Sequence, residues 1–174
     1  MIRKATMKDV NAIARTYEEL LIFEKENGSN SNWEWNVYPT AAVPESKIPA
    51  GSMYVLEEEG EICASMVLNQ DQAEEYAQVD WLYPAKQEEV LVIHTLCVRP
   101  SRSGNGYGRM MVQYAKQYAV GIGCSVVRID TYAHNEPAKR LYQNNGFRIA
   151  GYGRILLQGL IDEDQVYLEC KLEV

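Results

Sequence analysis

"LCVRPSRSGNGYGRMM", residues 96–111, is the stretch that decides the fold. Before it stands "VLVIHTLCV", residues 90–98, almost wholly apolar and rich in β-branched residues. That pattern fits a strand covered on both faces. Pro100 and then Gly104, Gly106 and Gly108 end it. After them Tyr107, Met110, Met111, Tyr114 and Tyr118 recur at i, i+3, i+4, i+7 and i+11. This spacing predicts a helix over about 106–120, with one apolar stripe. A strand, a glycine turn and a helix start therefore follow one another. Such a unit leaves backbone N–H groups unpaired at the helix start, and the helix dipole adds partial positive charge there. Glycine lets a ligand approach the backbone closely. The unit suits a phosphate group, and Arg99, Arg102 and Arg109 lie around it. A turn with no ligand is the plainer reading.

Two common phosphate motifs are excluded by spacing. A P-loop needs Gly-x-x-x-x-Gly-Lys-Ser/Thr, and no Lys-Ser/Thr follows here. A dinucleotide fold needs Gly-x-Gly-x-x-Gly after the first strand. Here the pattern is Gly-x-Gly-x-Gly in mid-chain.

Outward from this unit the chain alternates strands and helices. "MIRKAT" reads as a first strand, and Thr6–Asp9 carries a Ser/Thr-x-x-acid start signal. Val10, Ile13, Tyr17, Leu20 and Leu21 predict a helix over about 7–25. Residues 27–51 read as a long loop with a short helix near 40–47. Trp33 and Trp35 in that loop either pin it to the core or wall a substrate pocket. "SMYVLEEEGEICASMVLN" reads as a hairpin turning at Glu59-Gly60. Residues 71–88 are acidic and show no clear period. "SVVRIDTY" is a strand, and "NEPAKRLYQNNGF" a short helix that Asn135 caps and Gly146 ends. Strands at about 147–157 and 164–172 complete the order β-α-β-β-β-α-β-α-β-β. This is a mixed α/β fold with helices on a sheet.

The chain has 174 residues, which fits one domain over 1–174. Hydrophobic residues are 47% and charged residues 24%, an ordinary globular balance. The net charge of −7 argues against nucleic-acid or anionic-membrane partners. There is no signal-peptide pattern, so a cytoplasmic location is expected. Cys63, Cys97, Cys124 and Cys170 are widely spaced and predict no metal site. They are expected as reduced thiols in the core.

Further residues sharpen the reading. Downstream of the glycine turn come Asn135, Ala138, Leu141, Tyr142, Gly146 and Phe147. Two motifs, "LCVRP…SGNGYG" and Asn-x-x-Ala-x-x-Leu-Tyr-x-x-x-Gly-Phe, in this order resemble the GNAT acetyltransferase superfamily. The resemblance is strong over about 90–150. It implies the GNAT fold: a mixed, mostly antiparallel sheet of about six to seven strands, splayed between strands 4 and 5 and flanked by about four helices. It also implies acetyl-CoA as cosubstrate and transfer of its acetyl group to a primary amine of a small molecule by direct attack.

The same resemblance assigns residues. The backbone of Leu96, Cys97 and Val98 would pair with the pantetheine arm. Ser103, Gly104, Asn105, Gly106, Tyr107, Gly108 and Arg109 would hold the diphosphate, and Asn135 and Lys139 would lie near the cofactor's far side. Ser103 departs from the family's Gln/Arg at its position, and Arg102 stands next to it. Tyr142 would stabilise the departing thiolate. A thiol near ~8.5 and a phenol near ~10 make full proton transfer slightly uphill, so a strong hydrogen bond is enough. His94 is the candidate base, the only ionisable side chain within its strand, with an ordinary value of ~6.5. Its plainer reading is a hydrogen-bonded core histidine. Glu88 and Glu89 are rival bases, and His134 reads as a turn residue. A peptide or protein N-acetyltransferase and a non-catalytic CoA-binding sensor stay open as alternatives. A homodimer is compatible with the sequence.

Overall fold

The computed structural model of the chain describes residues 1–173. The first strand, β1, is Ile2–Lys4. Thr6 N–H then donates to Asp9 Oδ2 at 2.7 Å, the closure expected of a Ser/Thr-x-x-acid start. It closes one 3-10 turn over Met7–Asp9, and helix α1 follows over Val10–Asn27. The α-helix thus begins three residues later than the periodicity predicts, because the cap residue and its acid belong to the tighter turn. Ile13, Tyr17 and Leu21 form its buried stripe. The short helix in the long loop is α2, Ala42–Lys47.

Strands β2 (Met53–Glu58) and β3 (Glu61–Asn69) form the expected hairpin. The segment without clear period folds as two 3-10 turns, Glu74–Gln78 and Gln87–Glu89. Then come β4 (Val90–Val98), α3 (Tyr107–Gly121), β5 (Val126–Tyr132) and α4 (Glu136–Asn144). Strands β6 (Arg148–Leu157) and β7 (Ile161–Lys171) end the fold. β7 starts three residues before its expected boundary, because Leu157 and Ile161 already pair across the turn.

The seven strands make one mixed sheet in the order β1-β2-β3-β4-β5-β7-β6. Four α-helices accompany it among the described residues. The parallel pairing of β4 with β5 couples Val90 with Val126, Leu91 with Val127 and Val92 with Arg128. β4 then continues to Val98 and β5 to Tyr132.

The chain clusters into two compact units. The first comprises Met1–Ser29, Trp33–Leu68 and Thr95–Met111. Its core joins Ile13 and Tyr17 of α1 to Met53, Val55, Ile62, Val67 and Cys97, with Trp33 packed against it. The second comprises Asn30–Asn32, Asn69–His94 and the chain from Val112 on. There Val90, Val92, Val126 and Tyr167 pack with Tyr76 on one sheet face, and Val79, Trp81, Tyr83 and Ala85 join them. All four cysteines are free and buried.

Candidate active site

In the first unit the glycine turn is built as an open cradle. Pro100–Arg102 form a 3-10 turn after β4. Ser103, Gly104, Asn105 and Gly106 are exposed, and Gly108 is half-buried. Gly104 and Gly106 sit at φ +81° and +74°, and no atom lies within 4 Å of where a Cβ would stand at either. These are left-handed conformations that glycine adopts without the penalty a side chain brings. Asn105 Nδ2 donates back to Arg102 O at 2.9 Å and braces the turn. Among the described residues, no hydrogen bond engages the N–H groups of Gly104 to Gly108. The bend is therefore not closed off by its own side chains.

The side chains around the cradle contribute less charge than their identities suggest. Arg99 is paired with Glu19, whose carboxylate also accepts from Ser101 N at 2.8 Å. Arg102 is paired with Glu61 at 2.5 Å and Glu59 at 3.7 Å. Hydrogen bonding to Arg102 holds the Glu61 carboxyl below its ordinary value. Of the three arginines, Arg109 is the exposed one at the helix start. Tyr107 is buried, and its hydroxyl donates to Glu58. Its side chain anchors the helix, so what it offers a ligand is its backbone N–H.

β4 carries a kink just before the residues expected to meet the pantetheine arm. Thr95 has φ +49°, in the left-handed region. For a β-branched residue inside a strand this is a genuine outlier, costing about 1–3 kcal/mol. Its hydroxyl is hydrogen-bonded to Tyr38, and Trp33 meets Tyr38 edge-on at 5.9 Å. The aromatic loop thereby holds the kink. Leu96 and Val98 are half-buried, while Cys97 is buried. The Cys97 thiol donates to Thr16 O at 3.9 Å, and burial pushes it up to about 12. It is a core thiol, consistent with a backbone role only.

A cavity of about 550 Å³ opens in the first unit beside this loop, lined by Leu21, Ile22, Glu24, Lys25, Ser29, Trp33 and Trp35. That volume falls in the range of small-molecule sites. The buried Glu24 carboxylate accepts from Ser29 Oγ at 3.2 Å.

The second unit holds the remaining candidates. His94 is half-buried, its Nε2 2.7 Å from Asn69 Oδ1. Tyr142 is 3% exposed and packs on Phe147 at 5.6 Å. Burial, and secondarily the negative charge of Asp130, pushes its phenol well up. Among the described residues its hydroxyl makes no hydrogen bond, so it is not the satisfied core tyrosine of the plainer reading. Asn135 caps α4 by accepting from Ala138 N at 3.2 Å. Lys139 donates to Ala133 O at 3.1 Å and Glu136 Oε1 at 3.0 Å. Both side chains are used locally. Glu89 accepts from Lys86 N at 2.8 Å, an end-of-turn role. His134 stacks edge-on with Tyr132 at 5.2 Å, as a turn residue does.

Sequence reasoning missed a polar network on the second unit's sheet face. Tyr76 Oη donates to Asp130 Oδ2 at 2.6 Å, and Gln165 Nε2 reaches Asp130 Oδ1 at 3.1 Å and Glu163 Oε2 at 2.9 Å. Burial raises both carboxyls above their ordinary values, and the hydrogen bonds partly offset it. The signal was present as Arg128 and Asp130 at alternate positions of an apolar strand, and as Glu163, Gln165, Tyr167 and Glu169 along the other.

Comparison with known proteins bears on this geometry. The profile of the acetyltransferase (GNAT) family matches residues 14–147. The chain belongs to that family. It is 28% identical over 87 residues to the uncharacterized N-acetyltransferase YhfO of Bacillus subtilis (strain 168), covering 48% of this chain and 58% of that protein. The chain thus spans less than two thirds of that relative. Among solved structures, one described as an acetyltransferase from Staphylococcus aureus Mu50 is 28% identical, with a TM-score of 0.74 and 99% of each chain covered. YncA of Salmonella typhimurium, likewise described as an acetyltransferase and solved with its cofactor acetyl-CoA, is 19% identical. It has a TM-score of 0.68 and covers 99% of this chain and 94% of its own.

Proposed function

We propose that this chain transfers an acetyl group from acetyl-CoA to a primary amine of a small molecule. One observation carries the reading: the open glycine turn, whose N–H groups from Gly104 to Gly108 are unengaged among the described residues. Its donors and its helix start suit a diphosphate, and they need no long side chain at Ser103. The family and the acetyl-CoA found with the Salmonella protein agree with that ligand. The cofactor supplies an acyl group activated as a thioester.

The residues divide the remaining work. The backbone of Leu96 to Val98 pairs with the pantetheine arm, and the bend at Thr95 turns that backbone toward it. His94 removes a proton from the acceptor's ammonium, directly or through water. The freed amine forms the new N–C bond as the C–S bond breaks. The Tyr142 phenol, pushed up by burial, keeps its proton and donates a hydrogen bond to the departing sulfur. The cavity beside Trp33 and Trp35 supports a small acceptor, since about 550 Å³ falls within the range of small-molecule sites. The test is thiol release from acetyl-CoA with free amines, amino acids, polyamines and peptides. Release with small amines and not with peptides is expected; preferential acetylation of peptides would replace this reading.

A further inference from the structure

We propose that the cavity at the end of α1 takes the acceptor as an arylalkylamine, its ring against Trp33 and Trp35 and its ammonium toward Glu24. This rests on the transfer reading above and adds the substrate class to it.

The cavity's walls come from two short pieces of the first unit. Leu21, Ile22 and Glu24 lie on the last turns of α1, and Trp33 and Trp35 on the loop that follows. Leu21 and Glu24 are three residues apart, so they are neighbours on one helix face. The loop holds its tryptophans in place. Tyr38 N–H donates to Glu34 O and Glu34 N–H to Tyr38 O, both at 3.1 Å, so a closed turn carries Trp35. Asn36 within it has φ +58°, a conformation that asparagine tolerates. Trp33 packs against the core cluster of Ile13 and Tyr17 and meets Tyr38 edge-on at 5.9 Å. Yet Trp35 is 51% exposed and Ile22 49%. Two large apolar side chains left in water at one cavity form a patch that a ligand would cover. An aromatic ring offers tryptophan a large contact area.

Glu24 sets the charge of the occupant. Its side chain lines the cavity, yet the residue is only 6% exposed. Ser29, a neutral donor, gives its Oγ hydrogen to Glu24 Oε2 at 3.2 Å. Glu24 also stands in the last turn of α1, where Gly28 N–H closes the helix on Glu24 O at 2.8 Å. The helix dipole is negative at that end and favours a cation. A carboxylate withdrawn from water there is stabilised by an arriving ammonium and repels an anion. Lys25 also borders the cavity but is exposed, so water screens its charge.

The same unit carries the strand expected to meet the pantetheine arm. Trp33 touches Tyr38, whose hydroxyl is hydrogen-bonded to Thr95, immediately before Leu96. Trp33 also packs on the cluster that includes Cys97, and the Glu24 charge acts on the Cys97 thiol. The residues that would seat the acceptor and those that would hold the pantetheine arm thus belong to one packed body.

The experiment reads thiol release by the full chain at saturating acetyl-CoA. Phenethylamine and ethylamine, both charged at neutral pH, are the acceptors; phenethyl alcohol and phenylacetate are the neutral and anionic competitors. In the parent chain kcat/KM is expected to be at least about tenfold higher for phenethylamine than for ethylamine. Phenylacetate is expected to compete at least about tenfold more weakly than phenethyl alcohol. Glu24→Gln is expected to raise KM for phenethylamine about 10- to 100-fold and to change the inhibition constant of the alcohol less than about twofold. Trp35→Ala is expected to lower the preference for phenethylamine at least about threefold. If a thermal melt shows Glu24→Gln to be unfolded, the two competitors and the exposed Trp35 carry the test. Equal use of both amines, equal competition by acid and alcohol, or a preference untouched in folded Trp35→Ala overturns the inference while leaving acetyl transfer standing. So does a folded Glu24→Gln that moves both constants alike or neither. Release with polyamines or amino acids but with neither test amine also overturns the inference alone, and no release with any amine takes down the transfer reading with it.

Discussion

The Tyr142 side chain is buried against Phe147, and its hydroxyl makes no hydrogen bond among the described residues. Its raised phenol makes it a hydrogen-bond donor at every working pH and a poor source of a proton. Tyr142→Phe should therefore lower kcat about 10- to 100-fold, with acetyl-CoA affinity unchanged by calorimetry. An unchanged turnover removes Tyr142 from the mechanism. His94 makes a different prediction. Its ring is held by Asn69 at 2.7 Å, and its proposed role is to take the acceptor's proton. His94→Ala should then lower kcat about 100-fold, with acetyl-CoA affinity unchanged by calorimetry. Turnover retained in the folded variant assigns that role to another group. Tyr142 stood out in the sequence because its motif is local, running from Asn135 to Phe147. Asp130 did not, because its partners Tyr76 and Gln165 lie 54 and 35 residues away. Only the β5–β7 register and the folded 72–85 segment bring them together.

At the scale of elements, the strand–turn–helix unit was read almost whole from its pattern. Apolar alternation, proline and paired glycines each have one local meaning, and all agree at residues 90–121. The kink at Thr95 was not legible, since nothing in "VIHTLCV" departs from strand propensity. It is set by Tyr38, 57 residues away. The start of α1 was misplaced because a 3-10 turn and an α-helix share the same cap signal. The arginines were read as free charge, and Glu19 and Glu61, distant in sequence, neutralise two of them. What remains of the cradle is backbone. Gly106→Val should then weaken acetyl-CoA binding at least about tenfold, since a β-branched residue at φ +74° costs about 1–2 kcal/mol and resets the N–H directions. The site is exposed, with no atom within 4 Å of the added Cβ, so the variant should still fold. Binding retained in a folded Gly106→Val would mean the turn does not hold the ligand.

Over the whole molecule the ion pairs make a prediction about acid. Arg3 bridges Asp9 at 2.8 Å and Glu57 of β2 at 2.7 Å, tying the first turn to the sheet. Its hydrogen bonds lower the Asp9 carboxyl to about 2. A depressed carboxyl contributes stability above its unfolded value of ~3.9 and loses it as pH falls toward 2. Asp9→Asn should cost about 1–2 kcal/mol at pH 7 in urea unfolding and match the parent chain near pH 2. A constant difference across that window would assign the loss to packing instead. The buried cysteines also matter at this scale, because core thiols stay silent in a thiol-release assay. The fold class was legible from the order of elements, while the division into two units was not, for it follows from contacts between distant segments. The account as a whole is tested most directly by titrating acetyl-CoA into the purified chain in a calorimeter. One molecule binding per chain, weakened by Gly106→Val, is the predicted result; no heat of binding, or binding indifferent to that substitution, would contradict it.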